Sequence, residues 1–166
     1  MIRTLNEFDA EAYQDIRLNA LFRNPEAFES TYEREVEFSL KYVSERIKPT
    51  EDKFVLGAFA EDGSLIGIVA FVRESGLKVK HKGNIFGMYV APEARGCGIG
   101  KALLLELVKK ARACEGLEHI NLTVVSNNEA AVKLYRSVGF ETYGVEHRAL
   151  QCNGIYYDED LMVLRL

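Results

Sequence analysis

Residues 95–101 read Arg95-Gly96-Cys97-Gly98-Ile99-Gly100-Lys101, a glycine-rich turn between two apolar segments. The segment before it, Ile85 to Val90, is typical of a strand, and the one after it, Ala102 to Val108, is typical of a helix. Glycine has no Cβ, so the backbone of such a turn can lie close to a ligand. The free amides at the start of the following helix attract phosphate oxygens. These residues therefore predict a site for a phosphorylated ligand.

Two common phosphate-binding loops differ from this turn. The dinucleotide pattern G-x-G-x-x-G fails in both registers, because its last glycine would fall on Lys101 or Leu103. The nucleotide pattern G-x-x-x-x-G-K-[ST] nearly fits, but Arg95 replaces its first glycine and Ala102 lacks the hydroxyl that binds Mg²⁺. What the turn does match is Arg-x-x-Gly-x-Gly, from Arg95 to Gly100. A nucleotide enzyme built on the near match stays open as a rival interpretation.

The bulk composition is that of a globular protein. We expect the 166 residues, 48% of them hydrophobic, to form a single domain over 1–166 with a substantial core. The net charge of −4 argues against non-specific binding of nucleic acid. No apolar run approaches the ~20 residues that span a membrane, and the N-terminus does not resemble a signal peptide. The odd set of cysteines, Cys97, Cys114 and Cys152, fits a reducing compartment, so we expect a cytoplasmic protein.

Apolar periodicity and turn residues predict an alternation of strands and helices. The predicted elements are a strand at 2–5, a helix from Asp9 to Ala20, a helix from Glu33 to Ile47, a hairpin of 54–60 and 64–72 turning at Asp62-Gly63, a strand at 84–90, a helix at 98–115, a strand at 119–125, a helix capped by Ser126 and Glu129 and ended by Gly139, and a hairpin of about 140–150 and 155–165 turning at Asn153-Gly154. The expected core faces are Ala12, Ile16 and Ala20 on the first helix and Val36, Leu40, Val43 and Ile47 on the second.

The resulting order, β-α-α-β-β-β-α-β-α-β-β, predicts an α/β fold with a central mixed sheet. Helices interleave with strands, so we expect helices on both faces of the sheet. The strands at 84–90 and 119–125 are joined through a helix. They should therefore be parallel neighbours with a right-handed crossover.

A second motif lies about thirty residues beyond the glycine-rich turn, where the chain reads Asn128-x-x-Ala131-x-x-x-Tyr135-x-x-x-Gly139-Phe140. The segment from Met88 to Gly100 resembles the acetyl-CoA motif of the GNAT N-acetyltransferase superfamily, and this second motif resembles that family's next signature. Their order and separation are those of the family. The resemblance covers the whole chain in element order and is motif-specific from about 84 to 140. It implies a GNAT-like fold.

The resemblance also implies which residues bind the co-substrate acetyl-CoA. The strand backbone would bind the pantetheine arm, the turn amides would cradle the pyrophosphate, and Asn128 would contact the adenylate half. The residues so assigned are Met88, Tyr89, Val90, Arg95, Gly96, Cys97, Gly98, Ile99, Gly100, Lys101, Asn128 and Tyr135. No metal is implied.

Direct transfer of the acetyl group to a primary amine follows from the same resemblance. A strand amide near Met88 would polarise the thioester carbonyl. Tyr135 would be the catalytic general acid, since a phenol of pKa near 10 can protonate a thiolate of pKa near 8.5. Cys97 stands near a helix N-terminus, which lowers a thiol's pKa, but direct transfer needs no nucleophilic thiol. His147 beside Glu146 is a candidate base, although a surface strand position is the favoured interpretation.

Several alternatives stay open at this level. The acceptor is a primary amine of a small molecule or peptide, and its identity is not encoded in a motif. Acidic residues between Glu26 and Glu51 would favour a cationic amine if they wall the site, whereas a solvated helix face is the simpler interpretation. A non-catalytic acyl-CoA sensor of the same fold is the main rival function. The final hairpin offers an edge strand, which would allow a homodimer.

Overall fold

Strands and helices alternate in the predicted order, with one additional short helix near the N-terminus. The computed structural model describes all residues, 1–166. Its elements are β1 (Ile2–Thr4), α1 (Ala10–Arg23), α2 (Tyr32–Glu35), α3 (Leu40–Ile47), β2 (Lys53–Phe59), β3 (Leu65–Arg73), β4 (Lys82–Val90), α4 (Ile99–Arg112), β5 (His119–Val125), α5 (Glu129–Val138), β6 (Glu141–Cys152) and β7 (Ile155–Arg165). The predicted α/β class is confirmed. None of the helices combines the length and apolar character that crossing a bilayer requires.

All seven strands join one mixed sheet in the spatial order β1-β2-β3-β4-β5-β7-β6. Neighbouring strands are antiparallel except β4 and β5, which are parallel as predicted. These two strands pair only through Lys82–Asn84 and His119–Asn121. Gly87, with φ of +58°, lies where the register of β4 on β3 shifts, and such a bulge bends its strand. Beyond Asn84 the parallel strands have no paired residues, so the sheet is open between their carboxyl ends.

Helices cover both faces of the sheet, as predicted. On one face α4 and α5 pack over a cluster of 19 buried residues. On the other face α1 and α3 pack over a cluster of 11 buried residues. Leu103, Leu107 and Ala111 of α4 lie in the first cluster and are completely buried. The gap between β4 and β5 is thus walled by both helical layers.

The helix predicted from Glu33 to Ile47 is wrong as a single element. The structure has two separate helices there, α2 and α3. Val36 and Leu40 are exposed, whereas Val43 and Ile47 are fully buried. Only the second half of the predicted apolar face therefore reaches the core.

Local caps and one buried side chain explain the break. Thr31 Oγ1 accepts a hydrogen bond from the Arg34 amide, and Ser39 Oγ accepts one from the Tyr42 amide, so each hydroxyl begins its own helix. Glu35, at the end of α2, is 1% exposed and lies against α1. A continuous helix would not allow both helix starts, because each capping residue is extended.

The start of α1 also differs from prediction. Asp9 precedes the helix but makes no capping bond to it. Its carboxylate instead accepts from the Asn6 amide and binds the guanidinium of Arg3 at 2.7 and 2.8 Å. Ala12 is exposed, and Tyr13 takes the place expected for it in the core. Ile16 and Ala20 are buried as predicted, so the predicted face differs from the buried one only in its first turn.

The predicted capping box of Ser126 and Glu129 is wrong. The residue that caps α5 is Asn128, whose Oδ1 accepts from the Ala131 amide at 3.2 Å. Ser126 instead donates its hydroxyl to Asp160 Oδ1 at 2.6 Å, which links β5 to β7. Gly139 ends the helix in a left-handed conformation, as predicted.

Candidate functional site

A cleft of about 420 Å³ lies at the carboxyl end of β4, beside the first turn of α4. We call it the glycine-turn cleft. Ten of the twelve residues assigned by sequence line it, namely Met88, Tyr89, Val90, Arg95, Gly96, Gly98, Ile99, Gly100, Lys101 and Asn128. The parting of β4 from β5 and the N-terminus of α5 bring these segments together. The structure therefore gathers most of the two sequence motifs around one concavity.

The floor of the cleft is the glycine-rich turn. Gly96 and Gly98 have φ of +79° and +77°, a conformation that side chains disfavour, and no heavy atom lies within 4 Å of where their Cβ atoms would be. No side chain caps α4, so the amides at its start have no local partner of that kind. Uncapped amides and open space together suit an anionic ligand.

Gly100 has a packing role in the same turn. A Cβ built there would lie 3.1 Å from Leu134 Cδ2 and 3.2 Å from Met88 Cε. These separations are shorter than ordinary van der Waals contacts. The missing side chain thus lets α4, α5 and β4 meet at the inner end of the cleft.

Arg95 binds the protein at the rim of the cleft. Its Nε donates to the Val90 carbonyl at 2.9 Å, and its guanidinium carbon lies 5.5 Å from the centre of the Tyr89 ring. Nη2 is 3.5 Å from Asn24 Oδ1. These contacts fix the glycine-rich turn against the end of β4.

The candidate nucleophile Cys97 and the candidate base His147 both lie outside the cleft. Cys97 is exposed, and its thiol is 3.8 Å from the Arg95 carbonyl oxygen. His147 has a side chain that is 80% exposed and pairs with Asp158 at 3.0 Å. Neither side chain lines the glycine-turn cleft or its neighbour. The geometry agrees with the sequence preference against a nucleophilic cysteine and a histidine base.

A second cavity of about 560 Å³, here called the central cavity, adjoins the glycine-turn cleft. It extends from the gap in the sheet towards α1 and α3 on one side and β7 on the other. The two concavities share a boundary formed by Ala27, Phe28, Met88, Asn128, Ala131 and Leu134. A ligand in the cleft therefore has one end facing a separate chamber that is lined by both apolar and charged side chains.

Tyr135 lies in the wall of the central cavity and not in the cleft. It is on α5, is 7% exposed, and packs edge-to-face on Phe140 with ring centres 5.9 Å apart. Burial raises the pKa of its phenol above the ordinary value. The hydroxyl is therefore protonated at neutral pH and is available as a hydrogen-bond donor.

Glu159 is a half-buried acid of the central cavity that sequence reasoning missed. It lies on β7, opposite Val125 of β5. Burial raises its pKa above the ordinary value, and the neighbouring carboxylates of Glu146 and Glu29 raise it further. The sequence offers no signal for it, because the position of β7 between β5 and β6 is not visible in the element order.

A buried charge cluster forms the opposite wall of the central cavity. Arg17 binds Glu35 through Nε to Oε2 at 3.0 Å and Nη2 to Oε1 at 2.9 Å, and Arg46 Nη1 lies 3.1 Å from Oε2. Burial alone would raise the pKa of Glu35, but the ion pair with Arg17, a hydrogen bond from Ser30 and the charge of Arg46 together lower it to about 2. The pairing of Glu35 with Arg17 joins two separate helices and has no local signal in the sequence.

Most of the glutamates that the sequence offered as an acidic wall of the acceptor site do not line either concavity. Among the glutamates between Glu26 and Glu51, Glu26 lines the cleft and Glu29 lines the central cavity. Glu35 is neutralised by arginines. The others line neither concavity, which agrees with the simpler interpretation of a solvated face.

Comparisons with known proteins agree with this geometry. Residues 13–140 match the model of the Acetyltransferase (GNAT) family. The crystal structure of a GNAT-family acetyltransferase from Streptococcus pneumoniae is similar with a TM-score of 0.90 and 25% identity, over 100% of this chain and 99% of that one.

Curated relatives share shorter segments. N-alpha-acetyltransferase RimI of Mycobacterium tuberculosis is 36% identical over 92 residues, which are 55% of each protein. Mycothiol acetyltransferase of Paenarthrobacter aurescens is 43% identical over 58 residues, or 35% of this chain, and the match spans only 18% of that longer protein. The family model nevertheless covers most of the chain, and the chain therefore belongs to the GNAT family of acetyltransferases.

Proposed function

We propose that this protein is an acetyl-CoA-dependent N-acetyltransferase that transfers the acetyl group directly to a primary amine of a small molecule or peptide. The proposal rests on one observation. A cleft with an uncapped helix N-terminus and two glycines of positive φ meets a chamber with ionisable side chains across Phe28, Met88 and Leu134. Such an arrangement suits a phosphorylated acyl donor on one side and an amine on the other.

The residues present fit acetyl-CoA. The pyrophosphate would lie on the amides from Gly96 to Lys101, where a Cβ at Gly96 or Gly98 would project into open space. Beyond Asn84, β4 has no partner on the β5 side, so Met88 to Val90 offer free backbone groups to the amides of the pantetheine arm. Asn128 lies in the same wall. When bound, the co-substrate supplies a thioester carbonyl that an amine can attack.

Residues of the central cavity would handle the protons. Glu159, whose raised pKa makes it a better base than an ordinary carboxylate, takes a proton from the acceptor ammonium. The neutral nitrogen would then bond to the carbonyl carbon as the carbon–sulfur bond breaks. Tyr135 would donate its proton to the departing sulfur, and the remaining extra proton of the new amide nitrogen would pass to the Tyr135 phenolate oxygen, so that the products are an amide and free CoA thiol. A backbone amide of β4 near Met88 would polarise the carbonyl oxygen during the reaction.

The relatives do not fix the acceptor. Two of them carry different names, mycothiol acetyltransferase and N-alpha-acetyltransferase, and each shares only part of its length with this chain. The primary amine is therefore the limit of what family membership supports.

Calorimetry with acetyl-CoA tests the co-substrate. We expect binding at micromolar concentration by the wild type and loss of binding in Gly98→Glu. Gly63→Glu is the matched control, because Gly63 also has positive φ and open surroundings but lies in the β2–β3 turn away from both concavities. Equal binding by both variants, or no binding by the wild type at high micromolar concentration, would overturn the assignment.

Thiol release then separates enzyme from sensor. With acetyl-CoA and a panel of primary amines, we expect release of CoA thiol in proportion to amide formed. Binding of acetyl-CoA without thiol release for any amine would instead identify a non-catalytic acyl-CoA sensor.

A further inference from the structure

One nitrogen of the Arg17 guanidinium has no partner. Nε and Nη2 bind Glu35, but Nη1 is buried and makes no hydrogen bond, and the side chain as a whole is 7% exposed. Nη1 lies 3.6 Å from the position that a Cβ on Gly87 would take. Arg17 and Gly87 both line the central cavity, next to Met88 at the boundary with the cleft. The free donor is thus held at the chamber wall, near the reacting end of the cleft.

The charges around this donor do not cancel. Arg17 and Arg46 share the single carboxylate of Glu35, and burial raises the pKa of Tyr13, which therefore stays neutral. The cluster carries one excess positive charge. Unpaired charge in a buried site is costly, and a bound anion would remove that cost.

The other acidic residues of the central cavity do not pair with the excess positive charge of this cluster. Glu29 and Glu159 line the central cavity, but neither forms an ion pair with Arg17 or Arg46. Arg34 and Lys53 line the chamber too and add further positive charge. No carboxylate of the protein therefore neutralises the excess positive charge of Arg17 and Arg46.

Ser30 also lines the central cavity, but its hydroxyl lies beside the Glu35 carboxylate, whose pKa it helps to lower. Phe28 stacks on the Arg17 guanidinium, 5.0 Å from ring centre to Cζ, and covers one of its faces. Nη1 is therefore the donor of this wall that is left for a ligand, and a carboxylate is the anionic group that matches the edge of a guanidinium.

We propose that Arg17 Nη1 binds a carboxylate of the acceptor, so that the substrate is a small zwitterionic amine of the amino-acid class. This inference rests on the proposed function and specifies its substrate. The chamber then receives both charges of the zwitterion. The carboxylate lies at Arg17, and the ammonium lies towards Glu159, whose carboxylate accepts its proton.

Matched acceptors test the proposal in the wild-type enzyme. The probes are L-amino acids and the corresponding L-amino acid amides, compared by thiol release. We expect kcat/KM to be about 10- to 100-fold higher for the acids, mainly through KM, because a hydrogen bond to a charged group is lost in the amides. The amides carry more neutral amine at pH 7, so intrinsic reactivity opposes the expected result. Equal use of both sets, or turnover of simple amines but of no amino acid, would overturn the inference.

Arg17→Lys tests the residue, with Arg23→Lys on the same helix as its control. Lysine can bind Glu35 but keeps no second nitrogen in place for the acceptor. We expect the preference for acids over amides to fall to about one in Arg17→Lys and to be unchanged in Arg23→Lys, which is exposed. Retention of the preference by a folded Arg17→Lys protein would overturn the assignment. If that variant does not fold, the wild-type ratio decides.

A binding readout separates this inference from the proposed function. The melting temperature of the CoA-saturated wild type should rise with an accepted L-amino acid and not with its amide. Failure to bind acetyl-CoA would refute the proposed function. Normal binding and thiol release without discrimination between acid and amide would refute only the carboxylate site.

Discussion

Arg17 holds the carboxylate of Glu35 by two parallel hydrogen bonds of 3.0 and 2.9 Å, inside the protein and between α1 and α2. Gln14, one turn earlier on α1, donates from Nε2 to the Glu35 backbone carbonyl at 2.7 Å. The short helix α2 is therefore fixed to α1 through both its side chain and its main chain. This attachment forms one wall of the central cavity and sets the direction of the free Arg17 nitrogen.

The depressed pKa of Glu35 predicts a loss of stability in acid. Its pKa is about 2 in the folded protein and 4.5 ordinarily, so the unfolded chain binds the proton first as pH falls. The stabilisation is complete above about pH 5 and is lost as pH falls towards 2, by on the order of 3 kcal/mol. Urea unfolding between pH 7 and pH 2.5 measures it. Glu35→Gln should be less stable at pH 7 and lack this part of the slope, and an unchanged slope would contradict the prediction.

Tyr135 is predicted to act on the leaving group. Tyr135→Phe keeps the ring that packs on Phe140 but removes the proton donor. We expect kcat to fall about 100-fold, as for loss of a general acid, with little change in acetyl-CoA affinity by calorimetry. Tyr143→Phe on β6 is the control, because Tyr143 is exposed and lines neither concavity. A decrease in binding equal to the decrease in kcat would indicate a packing role instead.

Much of the fold can be predicted from local sequence signals, whereas the central cavity cannot. Asp62-Gly63 and Asn153-Gly154 mark their hairpins because a turn of that kind needs residues tolerating positive φ, a condition that is local in sequence. The glycine-rich turn is equally local. By contrast, the pairing of Arg17 with Glu35 joins residues 18 positions apart and breaks a helix that periodicity alone would continue.

Glu159 illustrates the same limit for the proposed chemistry. Glu146 faces Glu159 across the β6–β7 hairpin, whereas Glu29 comes from a distant segment before α2 and meets them only in the folded protein. A pKa raised by burial and like charges is a property of that arrangement. No spacing in the sequence encodes it.

The raised pKa of Glu159 predicts the acid limb of the pH–rate profile. The base is active when ionised, so kcat/KM should fall as pH falls through its pKa, which begins above the value of an ordinary glutamate. Glu146→Gln removes the repulsion from the residue opposite on β6 and should move this limb to lower pH. Glu159→Gln should lower kcat about 100-fold and abolish the limb. A limb that is the same in all three proteins would assign the titration to the amine instead.

Gly83 makes the parallel pairing of β4 and β5 possible. It lies opposite Ile120 in the middle of that short ladder, and a Cβ at this position would clash with the ring of Phe71. Phe71 cannot yield easily, because it is completely buried and stacks on Phe54 at 5.0 Å. Gly83→Ala should therefore destabilise the protein by about 1–3 kcal/mol, as overpacking does.

The control for Gly83→Ala is Gly144→Ala. Gly144 is a strand glycine of β6 whose added methyl would lie 3.5 Å from Leu161 Cδ1, an ordinary contact. Alanine at this position also lowers the entropy of the unfolded chain. The stability of the Gly144→Ala protein should therefore be unchanged or raised by up to about 1 kcal/mol. Thermal unfolding of both variants should show a clear loss of melting temperature only for Gly83→Ala. Equal melting temperatures would mean that the Phe71 ring can move aside, and the strand junction below the cleft would then be more adaptable than its packing indicates.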